Sequence, residues 1–541
     1  MVKKALFSFF CCLIASIAFA TLSFATAPGA KLYNAQHFKL SNGLEVYLIE
    51  NHRVPVVSHT VVYRVGSADD PRGKSGLAHY HEHMMFKGPE GSASAQIMAA
   101  VNKVGGAINA ATSFDVTYYY AIVPKEYLAM IMNFETQRMR ELEVLPEQAA
   151  SERQVVLEEE NMRIGNNPLA QFFRALSGAF YRHHPYRIDP IGWRHEIEQY
   201  TPQDVEAFHE RWYAPNNAFV ILSGDITLPE AQKLAETYYG VLPAKEIEPR
   251  QRVIEPAHDA VIKVTQTSTK INQPTFALVF PAPNYEPQAP AKTQALNLAV
   301  YALQNQATGI LYRRLVEDRK VAAGLSINYD MYTLNPSDIT LVVQPVPGVT
   351  LQVLEKALKE ELQQIIATGL SEEQLQKFKI QFLAGLEYIK DSLLAGADHL
   401  IAPLIQQVPL ANIEKGPQEV EAVTLDQVNQ ALRQYFNPPH YVQGELYPAA
   451  MAKAGEEQPQ ATQATTPKEN ALNKEIAVKE ALAAPTKDEP EKNKPLSTEK
   501  SAAKNQLPTQ GAPEALKKNQ GPDQKKNPGP SQAKKSNNHD A

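Results

Sequence analysis

A segment that occurs twice constrains this chain more than any single motif. Thr201-Pro-Gln-Asp-Val205 leads through a helical run to Tyr213-Ala-Pro215, and 223 residues later Thr424-Leu-Asp-Gln-Val428 leads with the same internal spacing to Phe436-Asn-Pro438. Each copy reads as a helix opened by a capping threonine and closed by proline, then a strand, at Ala218 to Leu222 and at Tyr441 to Gln443. At 541 residues the chain is too long for one domain. The repeat divides it into two homologous domains, expected at residues 31–245 and 259–448, with the Pro- and charge-rich stretch 246–258 as a linker. Strand signals at Leu44 to Ile49, Val56 to Val65, Val116 to Val123, Phe276 to Phe280 and Ile339 to Val346 suit a mostly antiparallel sheet in each. Helical segments at Ser94 to Val104, Lys125 to Leu142, Pro146 to Met162 and Leu351 to Thr368 would pack on those sheets. The fold class is α+β.

The two ends differ from this body. Met1-Val-Lys3-Lys4 and the apolar run to Ala20 have the form of a signal peptide, cut after residue 20 or as late as 27. The only two cysteines, Cys11 and Cys12, fall inside it. The mature chain is therefore expected to have no disulfide and no cysteine-ligated metal. No later stretch approaches the roughly 20 apolar residues of a membrane span, so the expectation is an exported protein, periplasmic or secreted. Beyond Tyr447 there is no Phe, Trp or Tyr, and residues 451–541 carry 15 Lys against 12 acids. That composition cannot offset the entropy of ordering and reads as a disordered tail. Net charge is −6 overall, with no concentrated basic surface in the body. Nucleic acid is excluded as an expected partner.

The chemistry is concentrated in Gly76-Leu-Ala-His79-Tyr-His81-Glu82-His83-Met-Met-Phe-Lys-Gly88. On a helix His79 and His83 share one face, about one turn apart, a spacing that suits a metal. Glu82 stands beside them, placed to take a proton from a water that such a metal activates. The order H-x-x-E-H inverts the commoner zinc-peptidase motif. His81 lies about 200° round the helix from each ligand candidate and reads as structural. A catalytic zinc usually takes a third protein ligand, and the three adjacent carboxylates Glu158, Glu159 and Glu160 compete for that role.

The flanks Gly76-Leu77-Ala78 and Met84-Met85-Phe86-Lys87-Gly88 make this stretch resemble the active-site helix of the pitrilysin, insulinase and mitochondrial processing peptidase family. The resemblance implies two α/β-roll domains forming half of a clamshell, with one Zn²⁺ per chain. Members carry two glutamates seven apart on a second helix, the second of which binds zinc. Only Glu152 and Glu159 meet that spacing, so the resemblance makes Glu159 the ligand and Glu152 a carboxylate that orients the site. Glu158 and Glu160 are expected on a solvated helix face. Gly105 to Tyr120 resembles the family's edge strand, read as a hairpin with a Gly-Gly turn, where Asn109 and Ala110 would align a peptide substrate by main-chain pairing. His184-Pro185-Tyr186 through Gly192 resembles loop architecture near the site, with no chemistry assigned.

The chain also departs from the family. Complete members carry an Arg and a Tyr seven apart in the second domain, and the matching positions here hold Val316 and Ala323. The implied arrangement is a heterodimer in which a homologous exported subunit supplies that pair. A homodimer, or substitution by Arg319 or Tyr329, is the alternative. The expected function is a zinc metalloendopeptidase acting on short or unfolded peptides. A non-catalytic scaffold subunit and a specialised peptide-maturation protease are the other readings.

Overall fold

The structure, a computed structural model, describes residues 31–306 and 308–451. The expected signal peptide, both cysteines and residues 452–541 of the expected tail lie outside the described residues. The first half carries β1 (Gln36–Lys39), β2 (Glu45–Glu50), β3 (Val56–Tyr63), β4 (Ala107–Thr112), β5 (Thr117–Pro124) and β6 (Ala218–Gly224). Its helices of eight or more residues are α1 (Leu77–Met84), α2 (Ala93–Lys103), α3 (Leu128–Arg140), α4 (Pro146–Glu160), α5 (Pro168–Phe180), α6 (Pro202–Trp212) and α7 (Leu228–Tyr238). The second half carries β7 (Ile262–Ser268), β8 (Thr275–Ala282), β9 (Ala322–Tyr329), β10 (Ser337–Pro345) and β11 (Val442–Pro448). With them come α8 (Pro290–Gln304), α9 (Leu351–Thr368), α10 (Glu372–Ile389), α11 (Leu393–Ile405) and α12 (Leu425–Tyr435). No helix among the described residues is long and apolar enough to cross a membrane.

The strands form two sheets, in the orders β1-β2-β6-β3-β5-β4 and β7-β11-β8-β10-β9. Apart from β1 the second order repeats the first, strand for strand. In each sheet the late strand, β6 or β11, runs parallel to one neighbour and antiparallel to the other. All other pairs are antiparallel. The repeated Thr-to-Pro segments are the helices that feed those late strands. Thr201 caps α6 by accepting from Asp204 N–H, and Thr424 caps α12 by accepting from Gln427 N–H, each in a reciprocal capping box.

One face of each sheet is covered by helices of its own half. Val46, Leu48, Val61 and Val220 pack with Tyr80 and Met84 of α1 and Val156 of α4. Phe276, Leu278 and Leu341 pack with α8, α9 and α12. The other faces are covered by exchange. Tyr47, Ile49, Phe219 and Ile221 of the first sheet bury Ala397, Leu400 and Leu404 of α11. Ala277, Val279, Val442 and Leu446 of the second bury Phe172, Leu176 and Phe180 of α5.

The seat of α5 is close. A Cβ on Gly444 of β11 would stand 2.5 Å from Phe172 Cζ and 2.7 Å from Leu176 Cδ2. Gly444→Val is therefore expected to lower stability by about 1–3 kcal/mol through overpacking, read as a lower denaturant midpoint with zinc binding retained.

Two sequence expectations change. Gly105 and Gly106 do not form the hairpin turn. Gly105, at φ +74°, closes α2, and the turn between β4 and β5 is Ser113 to Val116, closed by Ser113 N–H to Val116 O at 2.8 Å. Positive φ suits glycine at a helix end, so the pair answers to α2 and not to the hairpin. The helix expected from Pro146 to Met162 ends as α at Glu160 and continues as a π-helical turn, Asn161–Gly165.

Candidate metal centre

Helix α1 is fixed at its start. The Asp70 carboxylate accepts from the N–H groups of Gly76 at 2.6 Å and Ala78 at 2.8 Å, satisfying donors that a helix N-terminus leaves open. Gly76 and Gly192 both have φ +87°, and a Cβ on either would strike the other's loop, at Ile191 O and at Ser75 O. The stretch from His184 to Gly192 is thus the wall against which the entry to α1 is laid. Tyr80 ties α1 to α4 through its hydroxyl, which donates to Ala149 O at 2.6 Å.

This packing brings His79, His83 and Glu159 together, one ligand atom from each within 4.8 Å of the others. Glu159 Oε2 lies 3.6 Å from His79 Nε2 and 3.4 Å from His83 Nε2. Ligands held about 2.1 Å from a tetrahedral zinc stand about 3.4 Å apart, so this spacing and the N₂O donor set fit the ion. Glu159 Oε2 is also buried without a hydrogen-bond donor, as an oxygen reserved for a cation would be. Glu152 Oε1 is 2.9 Å from His83 Nδ1, which leaves His83 Nε2 facing the cluster.

Burial lowers His79 to about 3, keeping its imidazole neutral. Burial also acts to lower His83, but its bond to Glu152 and the nearby Glu159 and Glu82 carboxylates hold it up at about 9. Burial acts to raise Glu159 and is outweighed by His83, His79 and Arg163, which pull it to about 2. Glu82 is lifted by burial to about 7, with the Thr112 hydroxyl and His83 opposing.

Sequence reasoning missed three neighbours. Thr112, the last residue of β4, donates to Glu82 Oε2 at 2.5 Å, tying the edge strand to the candidate base. Lys87 Nζ is 2.7 Å from Glu152 Oε2, and Arg163 Nη2 is 2.6 Å from Glu159 Oε1. Each carboxylate thus spends one oxygen on a surface cation and turns the other inward. Arg163 follows Glu159 by four, a spacing legible in sequence; Thr112 carries no local signal.

Glu158 is exposed, as expected, but Glu160 is not. It is 6% exposed and pairs with Arg174 at 3.3 Å, because α5 folds back across that side of α4. His81 is fully buried, 3.2 Å from His209 Nδ1, away from the cluster. Asn109 is exposed and Ala110 half-buried on β4, which pairs only with β5 and forms the sheet's edge. Val316 is half-buried in the turn Arg313–Asp318 and Ala323 exposed on β9. Arg319 is engaged by Glu360 at 2.8 Å and Glu361 at 2.6 Å, and the Tyr329 hydroxyl donates to Pro283 O.

A two-sheet α+β chain with H-x-x-E-H on α1 facing a glutamate of α4 defines an inverted-motif peptidase scaffold. Two family models match it in succession, Insulinase (peptidase family M16) over residues 45–191 and Peptidase M16 inactive domain over 199–382. The chain belongs to the insulinase, or M16, peptidase family. It is 26% identical over 400 residues to the zinc protease PqqE of Helicobacter pylori, covering 73% of this chain and 89% of that protein. In fold it is similar to the crystal structure of a protease from Helicobacter pylori, with TM-score 0.71 at 24% identity over 76% of this chain and 99% of that one. The first half of the periplasmic protease PqqL from Escherichia coli matches with TM-score 0.67 at 20% identity, covering 79% of this chain and 94% of that half. Against the complete PqqL (TM-score 0.67, 19% identity) the match covers 83% of this chain and 54% of that protein. The fold thus corresponds to about half of that protein's length.

Proposed function

We propose that this chain is an exported zinc metalloendopeptidase that hydrolyses short or unfolded peptides as the zinc-bearing half of a heterodimer. The observation that carries the reading is the convergence of His79 Nε2, His83 Nε2 and Glu159 Oε2 beside Glu82. Residues 31–245 and 259–448 are read as duplicated domains, with the centre in the first alone.

His79, His83 and Glu159 would hold the zinc, which would supply Lewis-acid chemistry there, lowering the pKa of a bound water and polarising the peptide carbonyl. Glu82 Oε1, the oxygen that Thr112 does not engage, takes the proton of the attacking water and later delivers it to the leaving amine. Glu152 would accept from His83 Nδ1–H and so leave Nε2 as the nitrogen that gives up its proton for a metal. The substrate lies extended along the free edge of β4 at Asn109 and Ala110, where Ala110, opposite Tyr119 in a non-hydrogen-bonded pair, offers the main-chain groups that β5 leaves unpaired. The periplasmic location of PqqL supports export. Its doubled length supports a second, homologous half that supplies the Arg and Tyr absent at Val316 and Ala323.

Metal analysis of the purified chain tests the centre. One zinc per chain is expected, retained in Glu158→Ala and lost from Glu159→Ala with about a hundredfold or greater fall in affinity. Equal retention by both variants would remove Glu159 from the ligand set, and a wild-type chain that binds no zinc would refute the peptidase reading.

A further inference from the structure

Residues 246–258 read in sequence as a linker, yet two of their side chains are buried among acids of the first half. Arg252 Nη1 lies 2.9 Å from Asp69 Oδ1, and its Nη2 lies 3.0 Å from Asp115 Oδ1. The Arg252 side chain is 11% exposed, against 3% for Asp69 and 11% for Asp115. Arg250 donates from Nη2 to the Asp115 carbonyl at 2.8 Å, and its Nε lies 3.7 Å from Asp69 Oδ2. Two cations and two carboxylates balance, so removing one arginine leaves a buried charge uncompensated. Further along, Glu255 accepts the N–H groups of Arg182, His183 and His184. The segment is fastened along its length.

What it grips is the tip of the β4–β5 hairpin. Asp115 is the third residue of the four-residue turn, and its Oδ2 receives the Tyr186 hydroxyl and, at 3.4 Å, the N–H of Leu334. Leu334 belongs to the turn between β9 and β10, which correspond in sheet order to β4 and β5. Both hairpin tips therefore meet under the two arginines. An edge strand has a neighbour on one side only, so the height of β4 over the metal centre depends on what holds its ends. Thr112 is tied to Glu82 and the adjoining turn to Arg250 and Arg252.

We propose that Arg250 and Arg252 are positioning residues that clamp the β4–β5 hairpin and so set where a peptide pairs relative to Glu82. The role in catalysis rests on β4 being the peptide-pairing edge; the clamp itself does not. Arg252→Gln in the full zinc-loaded chain is expected to speed amide hydrogen exchange in residues 107–124 by about tenfold, with α1 and α4 unchanged. Zinc stoichiometry stays at wild type. In the active assembly KM for an unstructured peptide rises about tenfold while kcat stays within about twofold, because the groups that do chemistry are untouched and the strand that aligns substrate is not. Arg252→Lys keeps the charge but cannot span both carboxylates, and is expected to lie between the two; it decides the matter if the Gln variant does not fold. Exchange in the hairpin equal to wild type, or faster exchange spread evenly over the molecule, overturns the clamp. Faster hairpin exchange with unchanged KM overturns its part in substrate alignment. A wild-type assembly without peptidase activity counts against the function, and the exchange result still decides the clamp.

Discussion

Glu82→Gln is expected to bind zinc at full stoichiometry and to lose kcat by about 10²–10⁴-fold. The amide matches the carboxylate in size, and its oxygen can still accept from the Thr112 hydroxyl that now donates to Glu82 Oε2 at 2.5 Å. It cannot take a proton from water. Because Glu82 is not among the three converging ligands, metal content and turnover should separate cleanly. Steady-state cleavage of a fluorogenic peptide beside metal analysis of the same preparation makes the measurement. Wild-type turnover in this variant would take the base away from Glu82.

The second large effect concerns what the chain lacks. Purified alone, it is expected to hold zinc and cleave peptides poorly. Co-expressed with a homologous chain that bears the Arg and Tyr, it should gain about 10²–10³-fold in kcat for each oxyanion donor restored. The structure narrows the alternatives within the chain: Arg319 is committed to Glu360 and Glu361, and the Tyr329 hydroxyl to Pro283 O. Ala323 and Val316 offer no hydrogen-bonding side chain. Strong activity from a monomeric preparation would end the partner proposal.

The parts of this architecture that are local in sequence could be read from it. Four-residue spacing placed His79 and His83 on one helix face, whereas Glu152 and Glu159 were singled out by the family's pair of glutamates seven apart, which the resemblance implied. Capping threonines 223 residues apart revealed the doubled topology. What depended on distant packing was not legible. Glu160 looks identical to Glu158 until α5 covers it with Arg174. Thr112 meets Glu82 only because β4 runs beside α1. Arg250 and Arg252, set among prolines and charges, have the composition of a solvated linker, and nothing near them in sequence names Asp69 and Asp115 as their partners. Gly105 carried a true signal of positive φ, assigned to the wrong turn.

The exchange of α5 and α11 between the sheets sets an order of events for folding. The first sheet is complete in strands once Gly224 has been made, but the face that carries Tyr47, Ile49, Phe219 and Ile221 stays bare until Ile405 follows. At synthesis rates of about 5–20 residues per second, that interval is about 10–40 s. During it α5, with Phe172, Leu176 and Phe180, also waits for a sheet not yet made. The first half can close the core between its sheet and its own helices, but its second apolar face stays open to chaperones until α11 has been made.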